Sequence, residues 1–256
     1  MDIAVVDRIL ITFFHEFQSY FSLAGKTFVR MVRRPFYYRE FVTQFDKLGF
    51  SSLFICILTG LFSGMVMALQ SLIQLKPFAA TSYVGGMVAV TMIKELGPVL
   101  SSLMVAGRVG SAITAELGTM VVTEQVDAMR VEGTDIIKRL ATPRLKAMLL
   151  AMPLLTVVTD VVSILGGYIM SSGYSINPTM YISGLPQFMV FQDLIEGLLK
   201  PVFFGLIIAV TGCYIGLNTR GGAEGVGAAA KQAVVLSSVM ILVSDFFISK
   251  IFVAFR

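Results

Sequence analysis

The stretch that decides the fold reads Val84-Gly-Gly-Met-Val-Ala-Val-Thr-Met-Ile93, then Lys94-Glu95-Leu96-Gly97-Pro98, and continues to Gly133. Arg108 and Glu116 follow inside the same segment, which is otherwise apolar enough for lipid. Charged side chains in hydrocarbon are expensive, so they normally face protein or a water-filled cavity. The stretch therefore predicts a transport or ligand site inside a membrane protein.

Composition places the whole chain in the same class. Its 256 residues are 56% hydrophobic and only 14% charged, with a mean hydropathy of +0.82, whereas a soluble domain carries about 25% charged residues. The net charge of +4 lies mostly beside apolar segments, which is typical of a topology signal rather than of a nucleic-acid interface. We expect a polytopic membrane protein that does not bind nucleic acid.

Residue usage argues against an enzyme. His15 is the single histidine, so a histidine triad or a multi-histidine metal site cannot form within the chain. Cys56 and Cys213 lie in apolar runs and are expected to be free, buried residues. The glycine-rich run 221–227 lacks a Walker pattern and is predicted to be a solvated turn. We expect no catalytic residue, metal or cofactor here, so any ATP hydrolysis must come from another polypeptide.

Hydropathy predicts an all-α architecture with five transmembrane helices. Each apolar run is near or above the ~20 residues needed to cross a bilayer. The predicted spans are residues 49–70, 84–118, 147–171, 198–217 and 233–255. Gly60 and Gly64 in the first span form a small-residue pair suited to close helix contact. A single membrane domain, 1–256, is the economical description, with a five-span core at 49–255.

Residues 1–47 are predicted to hold an amphipathic helix and a basic segment. Ile9, Phe13, Phe17 and Phe28 recur at helical spacing together with Tyr20 and Phe21, which favours a helix lying in the membrane interface. A helix packed on the bundle is the alternative. Pro35 should break this helix, and the arginines around it place the N-terminus in the cytoplasm. Five crossings then put the C-terminus outside.

Lys94 and Glu95 are the leading candidates for a ligand site. Pro98 has no N–H, so the carbonyl of residue 94 loses its helical partner and the backbone opens there. Neighbouring residues on a helix do not face each other, so each charge needs its own partner. The alternative is that both charges only specify helix packing. Asp160 and Asp245 are further acids within spans, without an evident partner, and Lys200 at the edge of the fourth span can reach the interface as a snorkelling lysine.

Small residues form two ridges further along the second span. One ridge contains Gly107, Ser111 and Ala115, and the other contains Gly110, Thr114 and Gly118. Both suit close packing against a helix of this chain or of a second protomer. Arg108 and Glu116 are about 12 Å apart along the helix axis, so they are expected to bind other groups rather than each other.

A short cytoplasmic helix is predicted to follow from Thr123 to Gly133. Thr123 is suited to cap its N-terminus, and Glu124 would favour the positive end of the helix dipole. The helix is either a connector between two spans or the surface through which a soluble partner acts on the membrane part.

The motifs resemble those of the MlaE/YrbE permease family. They are Lys94-Glu95-Leu96-Gly97-Pro98, Ala106-Gly107-Arg108-Val109-Gly110-Ser111-Ala112, Thr114-Ala115-Glu116-Leu117-Gly118 and Thr123-Glu124-Gln125-Val126. The likeness extends from the N-terminal amphipathic segment to Ser244-Asp245-Phe246. Its members are membrane subunits of ABC transporters that work with MCE-domain proteins.

The resemblance implies a specific assembly. Such permeases form homodimers, bind a cytoplasmic ATPase dimer that holds ATP and Mg, and lie below a periplasmic MCE hexamer in the bacterial inner membrane. It implies that Lys94, Glu95, Lys200 and Leu69 line a phospholipid cavity, and that Glu124, Gln125, Val126, Asp127 and Met129 contact the ATPase. Gly107, Gly110, Ser111 and Ala115 are expected to serve helix packing. The family often has Arg where this chain has Lys94, and Asp160 matches no familiar position.

Three other functions are weighed against this one. A lipid-modifying enzyme would need a cluster of nucleophile and base, and only scattered acids are present. A proton-coupled secondary transporter would use Glu95, Asp160 or Asp245 as a relay and would work without an ATPase. If the chain were only a structural anchor of an envelope complex, the buried charges of Lys94 and Glu95 would have no function.

Overall fold

The computed structural model describes residues 3–32, 37–174 and 178–254, to which every structural statement below refers. Pro35 lies outside them, as do the side chains of Ile9 and Phe13. This part of the chain contains no strand, so the all-α prediction is confirmed. The helices are α1 (Ile3–Val32), α2 (Tyr38–Phe45), α3 (Ser51–Leu75), α4 (Val84–Thr91), α5 (Gly97–Val105), α6 (Ser111–Val122), α7 (Gln125–Val131), α8 (Thr142–Gly173), α9 (Pro178–Phe188), α10 (Phe191–Leu217) and α11 (Gly222–Ala254).

Five of the described helical segments are long and apolar enough to cross a membrane, as predicted. They are the first span (Tyr38–Phe78), the second (Thr81–Val122), the third (Ile137–Gly173), the fourth (Phe191–Leu217) and the fifth (Gly222–Ala254). All five segments begin before the predicted residue. The fourth span begins at Phe191 instead of Leu198, and the fifth begins at Gly222 because the glycine-rich run continues the helix instead of forming a turn.

π turns interrupt three of these spans. The four π turns are Asp46–Phe50 in the first span, Met92–Leu96 and Ala106–Gly110 in the second, and Ile137–Ala141 at the start of the third. Proline follows two of them closely, at Pro98 and Pro143, and proline removes the N–H that a regular α-helix would use. Because π turns are rare and often occur at functional sites, the turn at Lys94 marks the second span for closer inspection.

Glycine allows the first and third spans to pack with almost no space between them. A Cβ on Gly64 would collide with the backbone of Ser163, and one on Gly166 would collide with the carbonyl of Leu61. The predicted role of Gly60 and Gly64 as a close-contact pair is therefore confirmed, since Gly60 faces Thr159 in the same seam.

The buried core lies between the second, third and fourth spans. Its largest fully buried members include Leu117, Met148, Met152, Phe204 and Ile208. Cys56 and Cys213 are both free and buried, as predicted. The fifth span is the least buried of the five and exposes an apolar face, which includes Val235, Val239, Leu242, Val243, Phe246 and Phe247.

Helix α1 lies against the bundle on one side and exposes aromatic rings on the other. Tyr20 is buried, and its hydroxyl lies 3.1 Å from that of Thr211 in the fourth span. Phe17, Phe21 and Phe28 are exposed. Tyr20 therefore belongs to the packed side and not to the exposed stripe in which the sequence pattern placed it. The position of α1 in the membrane interface stays a prediction.

Candidate functional site

The second span changes its hydrogen bonding at Lys94. In the π turn, the N–H of Gly97 donates to the carbonyl of Met92. The carbonyl of Lys94, which Pro98 cannot reach because it has no N–H, accepts a hydrogen bond from Lys200 Nζ at 3.0 Å. The prediction that Pro98 opens the backbone at this position is confirmed.

Lys200 lies at the centre of a group of carboxylates. Its side chain is 0% exposed, and Nζ donates to Glu95 Oε2 at 2.5 Å. Nζ also lies 3.1 Å from Asp245 Oδ1 and 3.3 Å from Glu196 Oε1, as ion pairs in which these two oxygens lack hydrogen-bond geometry. The snorkelling interpretation of Lys200 is wrong, because three carboxylates hold the ammonium inside the protein. Asp245 thereby gains the partner that the sequence did not reveal.

Lys94 shares Glu196 with Lys200 and binds one further acid, Asp193. Its Nζ lies 3.4 Å from Glu196 Oε2 and 3.6 Å from Asp193 Oδ1. The hydroxyl of Ser249 donates to the Glu95 carboxylate at 3.3 Å. Lys94 and Glu95 thus have separate partners, as predicted from their adjacency on one helix.

We call these six residues the charged cluster: Lys94, Glu95, Asp193, Glu196, Lys200 and Asp245. They come from the second, fourth and fifth spans. With all six ionised, four carboxylates face two ammonium groups, so the cluster has two negative charges in excess. A buried ionic group is tolerated only with partners of good geometry, and the excess means that the cluster can still accept a cationic group or protons.

Asp193 and Glu196 were missed by the sequence analysis. They lie before the predicted start of the fourth span at residue 198, in what the structure shows to be the first two turns of α10. Their spacing was the available signal, because Asp193, Glu196 and Lys200 follow each other at i+3 and i+4 on one helix face. Gly197, between them, lets α10 approach the Ile93 carbonyl at the π turn.

A small cavity lies next to the charged cluster. It measures about 190 Å³ and is lined by Lys94, Gln192, Asp193, Ile195, Glu196, Phe252 and Val253. Sites for drug-sized ligands measure roughly 300–1,000 Å³, so this cavity has room for a polar headgroup and not for two acyl chains. The side chain of Glu95 is 38% exposed, and a charged group within a span needs a polar or protein partner on its open side.

Asp160 in the third span lies behind the π turn. It is buried, and its Oδ1 has no hydrogen-bond partner. A Cβ placed on Gly97 would collide with this oxygen and come within 2.7 Å of the Met92 carbonyl. Gly97 is therefore required for the contact between the π turn and the third span.

Glu116 anchors the C-terminal end of the second span. Its carboxylate lies 2.9 Å from Arg144 Nη2 and 3.8 Å from Lys47 Nζ. The buried Arg144 also donates to the Leu140 carbonyl at 2.7 Å. The prediction that Glu116 binds groups other than Arg108 is confirmed, and Arg108 is exposed.

The short helix after the second span is α7 (Gln125–Val131). The predicted cap at Thr123 is wrong, because Thr123 donates its hydroxyl back to the Thr119 carbonyl and the N-cap position is held by Glu124, at φ +60°. Val126 is buried and fixes the helix to the bundle, whereas Glu124, Gln125 and Asp127 are exposed and Met129 is half-buried. Asp127 pairs with Arg130 of the same helix at 2.9 Å, so α7 exposes a polar surface of both signs.

The remaining predicted residues lie apart from the charged cluster. Gly110 is buried beside Ile208, in the ridge where Thr114 donates to the Gly212 carbonyl at 3.2 Å. The other ridge faces outward, since a Cβ on Gly107 would meet nothing within 4 Å, and Ser111 and Ala115 are half-buried. Leu69 is half-buried in α3, which supplies no ion pair to the cluster.

Comparison with known proteins assigns the chain to a family. A family model described as Permease MlaE matches residues 41–251, which include all five described spans except their outermost turns. The chain belongs to the MlaE permease family.

Proteins similar to this chain occur in bacteria and in a plant. A probable ABC transporter permease protein of Rickettsia bellii is 43% identical over 235 residues, 91% of this chain and 90% of that protein. The intermembrane phospholipid transport system permease protein MlaE of Haemophilus influenzae is 31% identical over 237 residues, 92% and 89% of the two chains. The chloroplastic protein TRIGALACTOSYLDIACYLGLYCEROL 1 of Arabidopsis thaliana is 37% identical over 231 residues, 90% and 66%. The chain is thus a multi-pass membrane protein of a family whose members are named ABC transporter permeases.

Proposed function

We propose that this MlaE-family chain is the permease subunit of an ABC transporter that moves phospholipid between the inner membrane and the outer envelope. The observation that carries the proposal is the charged cluster at the π turn of the second span. A phospholipid needs polar partners for its headgroup in an otherwise apolar bundle. Lys94 and Glu95 would supply them, and the buried Lys200 would hold Glu95 in place. The name of the Haemophilus influenzae relative, an intermembrane phospholipid transport permease, supports this cargo.

A second copy of the chain completes the cavity in this proposal. One chain offers only about 190 Å³ beside the cluster, and the fifth span next to it exposes an apolar face. A symmetric dimer that brings two such faces together would cover the half-exposed Glu95 and supply walls for the acyl chains. Leu69 is proposed as part of those walls, away from the headgroup partners.

The motor is proposed to be a separate ATPase dimer that binds ATP and Mg and contacts α7 in the cytoplasm. The ABC transporter names of the relatives support such a partner. Glu124, Gln125 and Asp127 offer an exposed polar surface, in which Asp127 pairs with Arg130, and Val126 and Met129 join it to the bundle. In this assembly the N-terminus is cytoplasmic, the C-terminus is periplasmic, and an MCE hexamer receives or delivers the lipid.

A proton-coupled transporter is the second candidate. The excess of two carboxylates in the cluster favours it, since such groups can carry protons. The two functions differ in their energy source. Proteoliposomes with this chain alone, under a proton gradient, should move no lipid if the first proposal holds, while the complex with its ATPase should do so on addition of ATP.

The test of the proposed site uses the same proteoliposomes with a fluorescent phospholipid. The double variant Lys94→Ala/Glu95→Ala should lose ATP-driven lipid movement and release less co-purified phospholipid, measured by mass spectrometry. Glu224→Ala, at an exposed acid of the fifth span's first turn, is the matched control. Full transport by the double variant would refute the assignment of the site.

A further inference from the structure

An apolar pocket of the described chain lies apart from the charged cluster. It measures about 460 Å³ and opens between the end of α1, the helix α2 and the start of the third span. Its lining residues are Arg30, Met31, Tyr37, Tyr38, Phe41, Lys138, Thr142, Pro143, Lys146, Leu149 and Leu150. The family-based proposal gives this pocket no task.

The pocket has a charged end and an apolar end. Arg30, Lys138 and Lys146 supply three cations, and none of the described residues that line the pocket is acidic. Asp135 lies just outside and pairs with Arg30 at 2.5 Å. Met31, Phe41, Leu149 and Leu150 form the apolar end, and Leu150 is 55% exposed, so the apolar end is open at its side.

Helical geometry sets the order of these groups along the third span. Lys146 lies one turn into α8, and Leu149 and Leu150 lie another turn further along the same span. The cations thus occupy the end nearest the basic N-terminal segment, and the leucines occupy the side nearer the hydrocarbon core. The aromatic rings of Tyr38 and Phe41 form the opposite wall, with centroids 6.2 Å apart, at the depth where tyrosine is typical of membrane interfaces.

We propose that this pocket binds an anionic phospholipid of the surrounding leaflet as a resident lipid, separate from the transported cargo. The headgroup phosphate would lie among Arg30, Lys138 and Lys146, and one acyl chain would follow Leu149 and Leu150. Basic pockets between spans on the cytoplasmic side are suited to anionic headgroups. The charge of the lining residues selects the anionic headgroup over a zwitterionic one, and the open apolar side selects a lipid over a soluble anion.

The bound lipid would join α1 and α2 to the third span. The pocket lies where α1, α2 and the third span meet, and the Arg30–Asp135 pair lies at its edge. An occupied pocket would therefore hold α1 in place, and the permease would be sensitive to the anionic lipid content of its membrane.

The test is native mass spectrometry of the purified chain with phosphatidylglycerol or phosphatidylcholine. Phosphatidylglycerol should bind in preference. In Lys138→Gln/Lys146→Gln its affinity should fall roughly fivefold for each lysine removed, about 30-fold in total. Lys138→Arg/Lys146→Arg should keep the preference, and Lys231→Gln, an exposed lysine at the same end of the fifth span, should leave it unchanged.

Location is tested separately from affinity. A phosphatidylglycerol with a photoreactive headgroup should label peptides containing residues 30–41 and 138–150 in the wild-type chain. Equal binding of both lipids, labelling confined to residues 92–96, or full competition by inorganic phosphate would each overturn the proposal. Because binding is measured without the ATPase, a failure here is distinguishable from a failure of the proposed transport function.

Discussion

Lys200 shows how much a single buried side chain can organise. Its ammonium contacts carboxylates from the second, fourth and fifth spans and closes the carbonyl that Pro98 leaves open. Hydropathy alone placed Lys200 at the edge of a span, because a lysine near an interface usually reaches water. Its true environment consists of Glu95, Glu196 and Asp245. Glu196, one turn earlier, was placed on the same helix only when α10 was found to begin at Phe191.

The first prediction concerns this residue. We expect Lys200→Met to lower the free energy of unfolding by about 3–5 kcal/mol, because removing one partner leaves buried carboxylates without a counter-charge. Unfolding in SDS–detergent mixtures measures the effect. Adding Glu95→Gln to the variant should recover part of the loss. Lys231→Met is the control, and equal stability of Lys200→Met and wild type would contradict the ionic role of Lys200.

The second prediction concerns Gly97. We expect Gly97→Ala to cost about 1–3 kcal/mol by overpacking, because its Cβ would collide with Asp160 Oδ1. Gly107→Ala in the same span adds a Cβ that meets nothing within 4 Å, so its stability should stay near that of the wild type. The same unfolding assay applies, and an equal response of the two glycines would show that the π turn can move away from the third span.

At the scale of elements, patterns predicted the helices well and their ends poorly. The five spans and the break at Pro98 followed from hydropathy and from proline chemistry. The glycine-rich run 221–227 was predicted to be a turn, yet α11 begins at Gly222, because Gly221 and Gly222 at positive φ complete the reversal by themselves. Thr123 was expected to cap α7, but its hydroxyl bonds back to Thr119 and Glu124 takes the left-handed position. Such choices depend on backbone geometry that residue types alone leave open.

The third prediction concerns α7. We expect Glu124→Lys/Asp127→Lys to abolish co-purification of the ATPase partner and its stimulated hydrolysis, because both side chains are exposed and their charge in the proposed contact is reversed. Pull-down from membranes and phosphate release measure the two effects. Glu132→Lys, exposed just beyond the end of the same helix, is the control. Retention of both activities in the double variant would refute α7 as the coupling element.

At the scale of the whole molecule, the bundle is complete on some sides and open on one. The core lies among the second, third and fourth spans, whereas the fifth span is mostly exposed. Composition predicted a membrane protein but not which face of it would be left uncovered, since lipid-facing and protein-facing apolar residues have the same chemistry. The half-exposed Glu95 beside the fifth span indicates that this face is covered by protein rather than by lipid, because a carboxylate does not face hydrocarbon without a partner.

The fourth prediction tests the proposed dimer at this face. We expect Phe246→Cys, on the exposed side of the fifth span, to form a disulfide-linked dimer in oxidised membranes, because equivalent residues near a two-fold axis approach each other. Leu165→Cys, 52% exposed on the third span, should remain monomeric. Non-reducing gels provide the measurement, and the buried native cysteines make the background low. The same extent of cross-linking at both positions would contradict a specific seam.

Because three spans supply the residues of the charged cluster, insertion of the chain into the membrane depends on their order of synthesis. The cluster's ammonium groups and carboxylates enter the bilayer on three separate segments during synthesis, and each segment alone carries ions that lipid does not solvate. The fourth span, with Asp193, Glu196 and Lys200, is inserted before Asp245 has been translated. We therefore expect the nascent second and fourth spans to remain with the insertion machinery or with each other until the fifth arrives, and a chain truncated at Leu217 to be removed by quality-control proteases.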